Sequence, residues 1–314
     1  MKISRLLAVV LTLGFMAGPA VAGLVTNGLI AAHDAGLGWD GTNLSDGVIG
    51  DGYDATGTLA EVTAGNITHT PAAGSDPAFF SFTHKDDHIA LDAIPTVLGT
   101  SDFTVQMWVN IETSSDTWAG AGLLANAGAT GDNFGFALGQ LRGNQGSDFW
   151  GWTLHDTRGI GTVDPWDGWQ STNSVAQGSS FTDGTWKLIT VTRSAPETEY
   201  GGESGIKIWL NDGSEITQVQ DNSSNYGFAA VTTDMGLATM PLDINGGYTV
   251  SGVRHGRMKS GDKFNKLLVY NRRLTGQEII DNYNAGPSAV VPEPASLTLL
   301  GIGAALVLLR RRRA

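Results

Sequence analysis

Three carboxylates lie close together in the segment PETEYGGE, at Glu197, Glu199 and Glu203. A retaining glycosidase needs two carboxyl groups about 5 Å apart. Known glucanases carry them on one strand as E-x-D-x-E or E-x-D-x-x-E. The third carboxylate here comes one residue too late, and the Gly201-Gly202 pair inside the run favours a loop. We therefore interpret the segment as an acidic surface hairpin.

Nucleophilic and zinc chemistry find little support in the sequence. The chain has no cysteine, no G-x-S-x-G serine and no triad context around its six histidines. His84 and His88 in HKDDH have the i, i+4 spacing of metal ligands on a helix. Their flanks FFSFT and IALDAI are typical of strands, where this spacing separates residues by about 13 Å. A polar turn leading into Ile89 is the preferred interpretation, and a metal site is the alternative.

Calcium fits the composition better than zinc, because Asp, Asn and Gly in short loops supply hard oxygen ligands. The loop GDGYD could place Asp51 and Asp54 around a cation, and Asp262 in SGDKF could complete the site. Asp132-Asn133 in GATGDNFGF is a second, weaker candidate. Turns without a metal are the alternative at each position.

The segment FWGWTLHDTRGIGTVDPWDGWQ holds four of the nine tryptophans. Trp166 and Trp169 lie in a turn-like stretch, where flat indole faces could stack on the apolar faces of sugar rings. Lectin sites combine such an apolar floor with a few convergent polar groups. The predicted polar partners are Arg158, Asp164 and Asp167.

Two readings without a ligand remain open for the same segment. Trp150 and Trp152 are two residues apart, which on a strand puts both on one face, and that face could belong to the core. Trp166 and Trp169 could also form a plug that only covers a sheet edge.

Composition limits the class of protein. The chain has 43 glycines, no cysteine and 16% charged residues, which favours a turn-rich fold without disulfides. Its net charge is −12, and it becomes more negative once the basic residues of the two terminal segments are set aside. Such a surface repels nucleic acid and anionic lipid, so nucleic-acid binding is excluded as a function.

The elements between the termini are predicted to be strands and one helix. The stretch 102–110 alternates apolar and polar residues, and 185–192, 206–210 and 264–270 are rich in β-branched or aromatic residues. The helix ends are signalled by the capping box Thr275 to Glu278, by a hydrophobic staple of Leu274 and Ile279, and by Gly286. These patterns predict sandwich strands followed by a helix to about Asn284.

Four sequence blocks in this order resemble the laminin-G-like, concanavalin A-like lectin/glucanase sandwiches, specifically the pentraxin-like branch. The blocks are FTVQMWVN, DGTWKLITVTRS, IKIWLNDG and LLVYNRRLTGQEIIDNYNAG. The segments GLIAAHD and GDGYD are similar to the family's opening strand and its Asp/Gly-rich loop. The resemblance implies a two-sheet jelly roll in which structural calcium is frequent. The stretch from Phe149 to Gln177 departs from the family pattern.

Both termini have the sequence features of targeting segments. Residues 1–22 have Lys2 and Arg5, an apolar stretch and the small-residue pattern Ala20-Val21-Ala22, the layout of a secretory signal peptide. Residues 295–309 are uncharged and precede four arginines, which favours membrane insertion with the arginines in the cytoplasm. Fifteen residues of helix span roughly 22 Å, short of the roughly 30 Å hydrocarbon core, so a transient stop fits better than a permanent anchor.

With Pro292, Glu293 and Pro294, this tail resembles the sorting signal of bacterial PEP-CTERM proteins. The resemblance implies export, recognition by an exosortase-type enzyme in the inner membrane, and removal of the tail. It also implies a Gram-negative bacterium that makes extracellular polysaccharide. An ordinary tail anchor with a chance Pro-Glu-Pro is the alternative.

We expect one all-β domain over 23–286, a two-sheet antiparallel β-sandwich with one short C-terminal helix. A linker over 287–294, a transmembrane segment over 295–309 and a basic cytoplasmic tail over 310–314 follow. The expected function is non-catalytic glycan binding, with calcium as a structural or bridging ion. A structural or adhesive envelope or matrix protein is the first alternative, and a glycoside hydrolase using scattered carboxylates is the second.

Overall fold

Antiparallel strands dominate the protein, as a computed structural model shows. The structure describes residues 24–45, 56–60, 65–91, 101–112, 121–126, 137–142, 148–153, 171–176, 184–193, 206–211, 214–215, 242–246, 248–250, 253–255, 258 and 261–290. The signal-peptide segment 1–22 and the apolar segment 295–309 lie outside these ranges. Across the ranges described, no helix is both long and apolar enough to cross a membrane.

The elements are numbered in chain order. The strands of the first half are β1 (Leu29–Asp34), β2 (Asn43–Ser45), β3 (Thr56–Ala60), β4 (Ile67–Thr70), β5 (Phe79–Phe82), β6 (His88–Leu91), β7 (Phe103–Asn110), β8 (Ala121–Asn126), β9 (Ala137–Arg142) and β10 (Asp148–Thr153). Those of the second half are β11 (Ser171–Ala176), β12 (Trp186–Arg193), β13 (Ile206–Leu210), β14 (Ser214–Glu215), β15 (Leu242–Ile244), β16 (Tyr248–Val250), β17 (Val253–His255) and β18 (Lys263–Tyr270). The helix is α1 (Gly276–Ala285).

The strands form two eight-stranded sheets and one small pair. Sheet I has the order β14-β13-β12-β7-β18-β5-β4, and β1 also pairs with β18. Sheet II has the order β11-β10-β9-β8-β15-β6-β3-β2, and β16 pairs with β17. Each pairing between neighbours is antiparallel, as in β7 with β12 or β6 with β15. Within the described ranges, the predicted antiparallel all-β class with a short C-terminal helix is confirmed.

The strand predictions from sequence correspond to β7, β12, β13 and β18, each within one residue at either end. β12 and β13 pair antiparallel, with Val191 opposite Ile208. The stretch compared with the family's opening strand contains β1, which pairs with β18 at the other end of the described chain.

The core lies between the inward faces of the two sheets. Phe80, Phe103 and Phe264 of sheet I are fully buried in one cluster with Ile89 and Leu242 of sheet II. Each of these side chains comes from an apolar position in its strand, and apolar faces of two sheets packed together make a sandwich.

Helix α1 covers the outward face of sheet I. All eight residues of β7 are buried, although the sequence predicts a core-facing side only. On the outward face, Trp108 stacks on Tyr283 of the helix with ring centroids 5.9 Å apart. A second apolar cluster, with Leu268 and Ile279 among its members, lies beneath the helix.

The ends of α1 follow the sequence signals. The side chain of Thr275 accepts the Glu278 backbone N–H at 3.3 Å, and Glu278 accepts the Thr275 N–H at 2.8 Å, so the capping box is confirmed. Leu274 and Ile279 are both buried in the cluster beneath the helix. Gly286 ends the helix with φ 80°, a left-handed conformation that favours glycine.

Candidate ligand-binding site

Several connections of sheet II begin or end at the same edge of the fold, which we call the loop end. The loop end is defined by the last residues of β2, β6, β8 and β10, namely Ser45, Leu91, Asn126 and Thr153.

The pairing register establishes this common level. Leu242 pairs with both Leu91 and Asn126, so β6 and β8 finish side by side. Ala137 pairs with Thr153 and, on its other side, with β8. The strands that flank 46–55, 127–136 and 154–170 therefore all have their connecting ends at the loop end.

The five predicted ligand-contacting residues belong to the connection 154–170. Trp166, Trp169, Arg158, Asp164 and Asp167 lie outside the described residues. Their flanking strands form the hairpin β10–β11, in which Thr153 pairs with Ser171. Because β11 is the last strand of sheet II, this hairpin is at the sheet edge. Trp150 and Trp152 are part of β10, as the strand interpretation predicts.

The predicted calcium ligands belong to two separate segments of the chain. Asp51 and Asp54 lie outside the described residues, within a connection whose flanking strands β2 and β3 meet at the loop end. Asp262 immediately precedes β18, where its backbone oxygen accepts the Phe82 N–H at 3.1 Å. Phe82 leads into the turn before β6, so Asp262 is at the opposite end. A shared site requires the segment 46–55 to return along the sheet, and it stays a prediction.

The Asp262 carboxylate has a defined structural contact. The residue is fully buried, and its Oδ1 accepts the backbone N–H of Glu112 at 2.8 Å. This bond fixes the end of β7 to the start of β18. Within the described part of the chain, no group of three or more His, Asp or Glu residues could hold a metal ion.

The histidine pair of HKDDH lies where the turn interpretation puts it. His84 is in the turn between β5 and β6, and His88 begins β6. Asp87 is fully buried, and its Oδ2 accepts the His84 N–H at 3.1 Å. His88 Nε2 lies 3.8 Å from the buried Asp243 carboxylate. The pair thus helps to close the turn between the two sheets.

A buried ion pair on the outward face of sheet I was not anticipated. Lys266 Nζ lies 2.9 Å from Asp34 Oδ2, and side-chain exposure is 0% for the lysine and 7% for the aspartate. Lys266 Nζ also donates to the carbonyl oxygens of Pro287, at 3.2 Å, and of Ala289. Burial lowers the pKa of Lys266, and the charge of Asp34 opposes this effect. In the sequence, Lys266 directly precedes the apolar run LLVY, and a lysine at this position of the predicted strand was the only signal.

The tail matches a known sorting signal. Residues 290–313 match the family model described as the PEP-CTERM protein-sorting motif. The sorting motif Pro292, Glu293 and Pro294 lies inside this match. The motif marks an exported protein that an exosortase processes. No curated protein sequence matches the chain.

The fold is similar to that of solved binding domains. The binding domain of botulinum neurotoxin serotype C1 matches with a TM-score of 0.50 and 14% identity, over 82% of this chain and 52% of that chain. The binding domain of Paraclostridial Mosquitocidal Protein 1 matches with a TM-score of 0.49 and 15% identity, over 82% and 52%. The match thus spans about half the length of these neighbours. At this identity the likeness is one of fold.

Proposed function

We propose that the protein is a non-catalytic binding protein of the cell envelope or extracellular matrix of a Gram-negative bacterium. Its β-sandwich holds a glycan at the loop end, and its tail directs exosortase sorting. The observation that carries this proposal is the register of sheet II, which gives the connections 46–55, 127–136 and 154–170 a common starting edge.

The residue types in these connections suit sugar recognition. Trp166 and Trp169 supply flat apolar faces for sugar rings. Arg158, Asp164 and Asp167 supply hydrogen-bonding groups for ring hydroxyls, as in other sites with an apolar floor and few polar groups. The hairpin β10–β11 would serve as the rigid support for these side chains.

The charge of the protein bears on the kind of glycan. With a net charge of −12, the protein repels polyanions in general. A neutral polysaccharide is therefore the simplest ligand. An acidic polysaccharide would need a bridging cation, and Asp51 and Asp54 provide oxygen ligands of the type that calcium prefers.

A glycan array tests this function. The exported, processed protein should bind a subset of polysaccharides, and Trp166→Ala or Trp169→Ala should abolish binding with an unchanged melting temperature. Trp166→Phe is the matched control, because it keeps an aromatic face and should retain part of the binding.

A blank array across neutral and acidic polysaccharides would contradict the proposal, as would full binding by both alanine variants. Assembly on cells that persists without any glycan would instead support a structural or adhesive role. Release of reducing sugar, abolished by a single Asp or Glu substitution, would establish a hydrolase.

A further inference from the structure

The segment that leads to the sorting signal is held against sheet I by the Lys266 clamp. We define this clamp as Lys266 with its three acceptors, Asp34, Pro287 and Ala289. Asp34 lies on β1 and Lys266 on β18, and the two residues are opposite each other in the strand pairing. The clamp therefore joins the first and last strands described to the chain beyond α1.

Other contacts fix the same segment. Ala289 packs against the apolar cluster beneath α1, and its N–H donates to the Gly286 oxygen at 3.1 Å. The hydroxyl of Ser288 donates to the Ser75 oxygen at 3.4 Å. The stretch assigned to a linker from sequence is thus in contact with the fold as far as Ala289. The match to the sorting signal begins at the next residue.

The clamp limits how far the sorting motif can extend from the domain. Pro292 is the third residue after Ala289, and three extended residues reach roughly 10 Å. An enzyme that binds Pro292 must therefore approach the folded domain to within this distance. Its surface would then lie against the residues around the clamp.

Two residues next to the clamp in sequence have exposed apolar side chains. Among the described residues, the large hydrophobic side chains that are exposed are Leu37, at 53%, and Val290, at 59%. The Leu37 N–H donates to the Asp34 oxygen at 3.1 Å, so Leu37 is in the turn that follows one clamp residue. Val290 directly follows another. Each exposed apolar residue thus lies within three residues of a clamp residue along the chain.

We propose that the surface around the clamp, with Leu37 and Val290, is a docking surface for the membrane enzyme that processes the tail. The short reach from Ala289 to Pro292 favours this enzyme over lipid as the occupant, because the enzyme must contact the motif itself. Leu37 contributes apolar contact, and the clamp keeps Pro292 within roughly 10 Å of Ala289.

Processing kinetics in a host with the cognate exosortase test the proposal. Leu37→Asp in the full chain should slow conversion of the precursor to the processed form several-fold in a pulse-chase experiment. Thr26→Asp is the matched control, since Thr26 is exposed and lies at the other end of β1. It should be processed at the wild-type rate.

A flexible Gly-Ser spacer inserted between Ala289 and Val290 separates docking from folding. With the spacer, the enzyme no longer needs to lie against the domain, so Leu37→Asp should have no further effect. An unchanged rate for Leu37→Asp without the spacer would overturn the proposal. A defect that persists with the spacer would do the same. Loss of binding of the Leu37→Asp full chain to uncharged phosphatidylcholine vesicles, with unchanged processing, would identify lipid as the occupant instead.

Discussion

Asn282 Nδ2 donates to Gln106 Oε1 at 2.6 Å, which links the middle of α1 to the middle of β7. The same amide group donates to the Tyr270 hydroxyl at 3.0 Å, and Asn282 Oδ1 accepts the Val25 N–H at 2.7 Å. Gln106 in turn donates to Thr190 on β12 at 2.9 Å. One buried side chain thus satisfies polar groups from the N-terminal segment and two strands of sheet I.

Replacing Asn282 should destabilise the whole domain. In Asn282→Ala, Gln106 Oε1 loses its partner while buried, at a cost of about 1–3 kcal/mol, and the half-buried Val25 N–H loses its acceptor as well. We expect a lower midpoint in urea denaturation. Asn284→Ala is the control on the same helix, because Asn284 is exposed, and it should change stability by less than about 0.5 kcal/mol. Equal stability of the two variants would contradict the structural role of the network.

The Lys266 clamp makes a second stability prediction. Lys266→Met leaves the Asp34 carboxylate buried without its cation, and breaking a buried ion pair in this way costs about 3–5 kcal/mol. Denaturation of the variant measures the loss. The double variant Lys266→Met with Asp34→Asn removes both charges, so it should be more stable than Lys266→Met alone. If the double variant is the less stable of the two, the charge pairing does not account for the loss.

Stability at acid pH should depend on Glu278. Hydrogen bonds from the Arg272 guanidinium, at 2.6 and 2.9 Å, lower the pKa of Glu278 to about 2 from its ordinary value of 4.5. The contribution of the ionised Glu278 carboxylate to the stability of the fold is therefore complete above pH 4.5, and it is lost as the pH falls toward 2. The two side chains are 26% and 24% exposed, so solvent still screens the pair, and we expect it to contribute about 1 kcal/mol.

Thermal melts of wild type and Glu278→Gln at pH 7 and pH 3 check this contribution. The variant keeps a residue suited to the capping box, so it isolates the charge. The stability difference between the two proteins should be present at pH 7 and smaller at pH 3. A difference of the same size at both values would refute the assignment.

The sequence predicted the elements with the strongest local signals. Alternation identified β7, and the residues Thr275 and Glu278 identified the start of α1. Alternation could not show that the polar side of β7 is also buried. That burial depends on Asn282, which meets Gln106 from 176 residues away along the chain. The same reason applies to Asp34 and Lys266, which only the pairing of β1 with β18 brings together.

For the candidate site, the sequence identified residue types, and the fold determined where their connections start. The grouping of Asp51, Asp54 and Asp262 rests on ligand chemistry and on the family resemblance. The strands that flank 46–55 meet at the loop end, whereas Asp262 lies beside the turn before β6. Because β6 runs from that turn to the loop end, its length separates Asp262 from those flanks. Strand register depends on contacts distant in sequence, so composition and motifs could not supply this separation.

The calcium proposal leads to a prediction that separates these three aspartates. A bound ion stabilises the folded state in proportion to its occupancy, so chelator should lower the melting temperature by several degrees. Asp51→Asn and Asp54→Asn should remove this shift, because each deletes an oxygen charge from the proposed site. Asp262→Ala should lower the melting temperature whether or not chelator is present, because the Glu112 N–H loses its acceptor.

If Asp262→Ala abolishes the chelator shift as well, Asp262 shares the ion and the segment 46–55 reaches across the sheet. If chelator does not change the melting temperature of the wild type, the folded protein does not bind calcium, and an acidic glycan would lack the bridging cation it needs.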